Sequence, residues 1–438
     1  MAPLELLLHF AENADAELAV FDGADASPEA LTAASAPIEV TDAAHGGLDL
    51  HGRNLSGASL RSANLSQANL TGADLSDAAC AGIDLTCARL EAAQLARTDL
   101  AGATLTTVSA GEASFCEALL EDAVMTGAQL RFADFGNAIL DGADLSRADL
   151  WGAKLRNTAA DRALFRNARL DESSLAGADL AGADFSGATL RRTDLSHARM
   201  QNVNLRDAVL EGANLTGANL SGASLPNLSL SNCNLANVRF AGAWLDRTRM
   251  RARQLGGHVG EEAAGDLQAA IDSYIVLERN FESLGITDDA SWAYLRRRRV
   301  GRRLHAAQAA ACWKQQQRRS AVVHGFRWLG DVMAEWLCDY GESLYRVARA
   351  FLVILITFAA VYWLTGSLRP RESSTALHPF TLVNYLLFSL DSMTTVGTSE
   401  VALRPAGELG TLLSSLQTVL GTVLLGLFGF VLGARIRK

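Results

Sequence analysis

The 438 residues include only six cysteines (Cys80, Cys87, Cys116, Cys233, Cys312 and Cys338), with no CxxC pair and no histidines at metal-ligand spacing. That scarcity excludes a disulfide framework and a zinc module, and it suits a reducing compartment. A catalytic constellation is missing as well. His258, His305 and His324 are scattered through helical sequence without a nucleophile or acid partner at recognisable spacing, so the chain reads as no enzyme and implies no cofactor. The first 45 residues contain no lysine or arginine, and MAPLELLLHF lacks the basic n-region and cleavage site of a secretory leader. What is present, 49% hydrophobic and 20% charged residues at a mean hydropathy of +0.11, excludes a disordered or collagen-like chain. It fits a mostly soluble chain with a small membrane part.

The net charge of −9 is unevenly placed. Residues 1–45, 46–255 and 256–438 contribute −9, −3 and +3, so the acidity belongs to the N-terminal segment alone. Within it, the sequence suggests a short amphipathic helix near Leu4–Phe10, a strand around Leu18–Phe21 and a short helix after Ser27.

A five-residue period fills the middle of the chain. Every position divisible by five from Leu50 to Met250 is apolar; thirty of these 41 residues are Leu, five Phe and three Met, and only Cys80, Ala110 and Ala160 depart. Five matches neither the 3.6 of a helix nor the 2.0 of a strand, so the chain must turn at each repeat. The residue two before the large one is usually Ala, as at Ala58, Ala63, Ala68 and Ala73, and the others are mostly polar. One large and one small side chain per five can fill a narrow interior, with the turn-forming polar residues outside. This pattern resembles the pentapeptide-repeat family, A(D/N)LXX, whose fold is a right-handed quadrilateral β-helix. The resemblance implies about ten coils and a rod on the order of 50 Å, with no internal pocket and with open ends that need caps. The acidic N-terminal segment and the helical stretch after Gly256 are the expected caps. Mimicry of DNA, known for many members of that family, requires a strong field of one sign, and the near balance of residues 46–255 argues against it.

From about Asp266 to Glu342 the text becomes helical, with Leu267, Ile271, Tyr274, Leu277 and Phe281 at spacings of three and four. The run Arg296–Arg299 with Arg302 and Arg303 lacks interleaved aromatics, so nucleic acid is not expected as a partner. A solvated or lipid-facing basic surface is the expectation, with Trp313, Trp328 and Trp336 as interfacial anchors.

Two stretches free of charge, Ala350–Leu368 and Leu409–Ala434, are long enough to cross a bilayer. Arg346 and Arg349 before the first, and Arg435, Arg437 and Lys438 after the second, place both ends inside by the positive-inside rule. The expected location is an inner or plasma membrane, crossed more than once, with the N-terminal domains and the C-terminus cytoplasmic. YGESLYRVAR, ahead of the first span, reads as an interfacial helix. Between the spans, FTLVNYLLFSLDSM is too short to cross and is followed by TTVGTSEV.

Span, short helix, TVG turn and span resemble the two-transmembrane potassium-channel pore, with its T-x-x-T-V-G-Y-G-D signature. The resemblance implies that carbonyls of Thr395, Val396 and Gly397, following Thr394, hold a monovalent cation, potassium among the candidates, and no other metal. Thr398 and Ser399 stand where that family has Tyr and Gly, so a full set of potassium sites is not implied. Glu400 matches the acid after the filter, and Asp391 falls where some members keep a carboxyl behind it; the two are expected to share a proton. Gly426 and Gly429 in the second span read either as close packing or as a gating hinge.

The fold expected is therefore a multi-domain β + α membrane protein: an acidic N-terminal cap (1–45), a pentapeptide-repeat β-helix (46–255), a helical connector with a basic run and an interfacial helix (256–343), and a two-transmembrane-helix pore domain with a re-entrant pore loop (344–438). In the last, the spans are near 350–368 and 409–434, and pore helix and filter near 379–401. Two helices cannot enclose a pore, so subunits must assemble around an axis, four by the resemblance, although five would also close a ring. The partners implied are the lipid bilayer, further copies of the chain and a cytoplasmic protein docking on the rod. A membrane-anchored scaffold that does not conduct is the alternative.

Overall fold

The computed structural model describes residues 5–10, 20–22, 38–40, 47–370, 382–394 and 403–436, with side chains in 47–369, 382–394 and 403–433. Contacts divide the chain into two units, Met1–Arg297 and Arg298–Lys438. The division falls inside a helix, not at Gly256 or Glu342.

At the start of the first unit, β1 (Glu5–Phe10) pairs antiparallel with β2 (Val20–Asp22) on one side and β3 (Ile38–Val40) on the other. The helix expected near Leu4–Phe10 is thus a strand. Six residues cannot repay helix nucleation, whereas both edges of this segment find backbone partners. The helix expected after Ser27, and any contact by which this segment caps the rod, lie outside the described residues.

From residue 47 the chain winds into coils of twenty residues, and parallel bridges join each position ending in 4 or 9 to the one twenty residues on, beginning with Asp49 and Asn69. Leu55, Leu75, Phe115, Phe135, Phe165 and Phe185 stack inside, and the Phe115–Phe135 and Phe165–Phe185 rings lie 4.7 and 4.6 Å apart. The alternation of large and small rows follows from the width of the interior: Ala58, Ala63 and Ala73 are fully buried. The preference for Asn or Asp has a separate cause. Asn54 Oδ1 accepts the amide of Ser56 at 3.0 Å and Asp74 Oδ1 that of Ser76 at 3.0 Å, which fixes each corner. The residue numbered in 2 or 7 then takes a left-handed conformation at every corner from Gly52 to Arg247 except Asn232.

That exception marks a seam. The bridge between Val209 and Ser229 is missing from an otherwise continuous series, and so are the inter-coil bonds from the amides of Asp207, Leu210, Gly212 and Ser229. The same stretch holds Pro226, the sole proline of residues 47–255, and Leu228, a large residue in the row of small inward side chains. Extra volume in a packed interior forces the backbone to shift. A cavity of about 410 Å³ opens there, lined by Asp207, Glu211, Asn227, Ser229, Ser231 and Asn232 among others. Hydrogen exchange at the amides of Leu210 and Ser229 is expected to be about tenfold or more faster than at Leu190 and Val209, one coil earlier, and to slow in Leu228→Ala; equal rates would show that the seam is closed in solution.

Helices close the last coil. After a 3₁₀ turn (Ala252–Leu255) come α1 (Gly260–Ala264), α2 (Leu267–Ser283) and α3 (Thr287–Lys314). Their polar side chains replace the coil that is not there. Gln254 Nε2 donates to the carbonyls of Leu230 and Cys233, Asn280 both accepts from Thr248 N at 3.1 Å and donates to Thr248 O at 2.9 Å, and Asp289 accepts from Ala252 N. Glu261 Oε1 accepts from the amides of Phe240 and Ala241 at 2.9 and 3.0 Å and from Ser273 Oγ at 2.6 Å, while its Oε2 is buried without a partner. Burial pushes the Glu261 carboxyl above its usual range, against the opposing pull of those hydrogen bonds.

The sign of the consequence follows. A carboxyl raised on folding binds more protons folded than unfolded, so its contribution is greatest in acid and is lost as pH rises through its raised value. Between about pH 5 and about pH 8 the β-helix melting temperature of the wild type should fall relative to that of Glu261→Gln, which keeps the acceptor without the charge. Parallel curves would show that Glu261 does not titrate in this window.

The second unit begins within α3 and continues through α4 (Arg318–Cys338), α5 (Leu344–Thr365), β4 (Leu368–Pro370), α6 (Leu382–Thr394), β5 (Leu403–Pro405) and α7 (Gly407–Ile436). Helices α5 and α7 are long and apolar enough to cross a membrane. Strands β4 and β5 pair antiparallel where one span ends and the other begins. Residues 344–349, expected in an interfacial helix, are instead the first turns of α5: Ser343 caps it by accepting from Arg346 N. The chain turns earlier, at Asp339, Tyr340 and Gly341, all left-handed, with φ of 49°, 56° and 95°.

Candidate functional site

Helix α6 is the short helix between the spans, and it packs against both α5 and α7. Tyr385 and Phe388 of α6 are buried with Ala359 and Tyr362 of α5 and with Leu368 and Leu403 of the ribbon. The Tyr362 and Phe388 rings meet edge to face at 5.3 Å. At thirteen residues, α6 is too short to span about 30 Å of hydrocarbon as a helix.

Of the residues singled out from the sequence, Thr394 is the last of α6, its hydroxyl donating to Leu390 O at 2.9 Å. Asp391 lies in the same last turn and is partly exposed. Thr395, Val396, Gly397, Thr398, Ser399 and Glu400 lie outside the described residues, as does any pairing of Glu400 with Asp391. The glycines of α7 separate into two groups. A Cβ on Gly421 would fall 2.2 Å from Met393 O, so that glycine allows the two backbones to touch; Gly426, Gly429 and Gly433 face open space within the subunit.

Three buried polar side chains at this junction carry no sequence motif: Tyr362, Ser389 and Gln417 are each fully buried. Tyr362 OH donates to Gln417 Oε1 at 2.8 Å, Gln417 Nε2 donates to Ser389 O at 3.0 Å, and Ser389 Oγ donates to Leu355 O at 2.8 Å. The signal available in the sequence was a lone amide within a 26-residue apolar run.

The basic run does not form the expected solvated or lipid-facing surface. Arg296 pairs with Glu262 and Arg297 with Glu278, at 3.5 and 2.9 Å, within the first unit. Arg298 pairs with Asp331 at 3.2 Å, Arg299 with Glu335 and Asp339 at 3.5 and 3.3 Å, and Arg302 with Glu335, within the second. His305 Nδ1 lies 2.8 Å from the same Asp331. The reason is spacing: acids at 331, 335 and 339 on α4 and its end meet bases at 298, 302 and 305 on α3, each set recurring every three or four residues.

This network reaches the first span. Arg346 of α5 pairs with Asp339 at 3.4 Å and donates to Glu335 O at 2.8 Å, and Arg349 donates to Trp336 O at 3.3 Å. Two cations thus satisfy carbonyls at the negative end of α4. Asp339 joins α3, the left-handed turn and α5. Removing it leaves Arg299 with Glu335 and Arg346 with the Glu335 carbonyl, so Asp339→Ala is expected to lower stability by about 1–2 kcal/mol, and Arg346→Ala by less; thermal melting of the detergent-solubilised protein would reveal the reverse order if the turn, not the carboxylate, holds these elements.

Residues 47–251 match the pentapeptide-repeat family in eight copies, and this part of the chain is a pentapeptide-repeat β-helix. Solved structures similar to it include HetL, a pentapeptide repeat protein involved in heterocyst differentiation regulation in the cyanobacterium Nostoc, at 28% identity, covering 47% of this chain and 85% of that one, with a TM-score of 0.23. A pentapeptide repeat protein of the Arabidopsis thaliana thylakoid lumen matches at 29% identity over 26% of this chain and 70% of its own, with a TM-score of 0.13. Full-length QnrB1, a plasmid-mediated fluoroquinolone resistance protein, matches at 15% identity over 50% of this chain and 99% of its own, with a TM-score of 0.22. No curated protein matches the sequence.

Proposed function

We propose that the protein is a homo-oligomeric membrane ion channel conducting monovalent cations, with a cytoplasmic pentapeptide-repeat rod on each subunit for assembly, sensing or partner docking. One observation carries this reading: a helix too short to cross is packed between two helices long enough to cross, and it ends at Thr394, directly before Thr395–Val396–Gly397. A helix aimed in this way presents the negative end of its dipole to a cation. Carbonyls of Thr395, Val396 and Gly397 would replace part of the ion's water, while Thr398 and Ser399 widen or remove the outer positions. Gly426 and Gly429, with no packing duty inside the subunit, are the proposed hinge.

Subunits close around the pore axis as a tetramer on the channel resemblance, in an inner or plasma membrane with both ends of the chain in the cytoplasm. Nucleic acid is not a partner in this reading, because carboxylates of the same chain already hold Arg296–Arg299 and Arg302. The test is reconstitution of the purified protein in planar bilayers with asymmetric K⁺, Na⁺ and Cl⁻. Single-channel currents reversing near the cation potentials are expected, with Asp391→Asn shifting the K⁺/Na⁺ permeability ratio. Silence under varied voltage, pH and cations would leave the membrane-anchored scaffold as the reading.

A further inference from the structure

Gln417 stands in the middle of α7, the second candidate span, and is fully buried. An amide within a span is costly unless its hydrogen-bonding groups are met inside the protein. Here both ends of it are met, by different helices. The oxygen takes the Tyr362 hydroxyl of α5, and the nitrogen donates to the carbonyl of Ser389 on α6 and lies against the Ser389 hydroxyl, which itself reaches back to Leu355 O of α5. One side chain thereby fastens three helices.

The backbones confirm how close that junction is. Gly421, one turn beyond Gln417 on the same face, leaves no room for a Cβ against Met393, the residue before Thr394. Leu424, the next on that face, is buried with Met393 and Ala350. Stability alone gives no reason for an amide here, since an apolar residue of equal volume would pack in lipid-facing helices at no desolvation penalty, and hydrogen bonds between membrane helices contribute only about 0.6 kcal/mol on average. What a buried polar group supplies is register: it is satisfied in one rotation and depth of its neighbour and in no other.

We propose that Gln417, with Ser389 and Tyr362, is the positioning residue that fixes the depth and rotation of α6, and so the point from which the chain leaves Thr394 toward the ion-selecting carbonyls. This rests on the channel reading. Gln417 touches no permeating ion; it acts through α6.

The experiment is bi-ionic reversal-potential measurement on the full-length protein, reconstituted as wild type, Gln417→Met, Ser389→Ala, the double variant and Tyr362→Phe. Met matches the volume of Gln without its hydrogen bonds. Each single variant at 417 and 389 is expected to change the K⁺/Na⁺ permeability ratio about threefold or more, the equivalent of one such bond. The double variant should change it by less than the two single changes combined, because the variants share the Gln417 Nε2–Ser389 Oγ contact, whereas Ser389→Ala keeps the carbonyl that Gln417 binds. Oligomer size and melting temperature are measured alongside, and if Gln417→Met does not fold, Ser389→Ala and Tyr362→Phe carry the test. A conducting wild type whose variants all reverse at its potential overturns the positioning role and leaves the channel standing. A wild type that never conducts overturns the channel reading itself.

Discussion

Every backbone amide and carbonyl withdrawn from water must find a partner, and most of this protein follows from how that demand is met. In the rod many of the partners lie one coil up or down, 19 or 21 residues away. A period of five brings the same side-chain type back over itself after four repeats, so one rule of composition supplies both the Leu ladder and the bonded stack. In α5 and α7, the two helices long and apolar enough to cross a membrane, the partners lie within each helix, the solution that a chain in hydrocarbon would need. The interesting chemistry sits where neither solution reaches.

Those places share a device: a side-chain amide, carboxylate or guanidinium stands in for missing backbone. Asn280 gives the Thr248 carbonyl the donor that a further coil would have supplied. Arg346 and Arg349 occupy carbonyls at the end of α4. Gln417 adds a donor to a carbonyl of α6. The seam around Pro226 and Leu228 shows the reverse case, where two coils separate and several amides lose their partners.

How much of this could be read in advance differs by region. The coil period, the inward rows and the polar corners were legible because a strict repeat makes each residue's neighbours a matter of arithmetic. So was the short helix between two spans, because length against bilayer thickness decides it. The basic run was misread for a physical reason: a charge run seen alone looks solvated, and only folding brings Asp331, Glu335 and Asp339 against it. The signal was present as matching spacing on two helices, but nothing local says that those helices meet. Gln417 was missed likewise, since an isolated amide acquires meaning only from Tyr362, 55 residues away, and Ser389, 28 away.

The arginine run is divided between the two units. Two of four consecutive arginines are held by Glu262 and Glu278 in the first unit, and the next two by Asp331, Glu335 and Asp339 in the second. The chain passes between units inside α3, whose own hydrogen bonds continue through the boundary. Asp339, which receives Arg299, also receives Arg346 from the first turn of α5. A continuous set of charge-assisted contacts therefore runs from α3 to the start of the first span. The pairs that meet at Asp339 join a carboxylate 12% exposed to arginines 36% and 29% exposed, so salt screens them less than it screens a pair in open solvent.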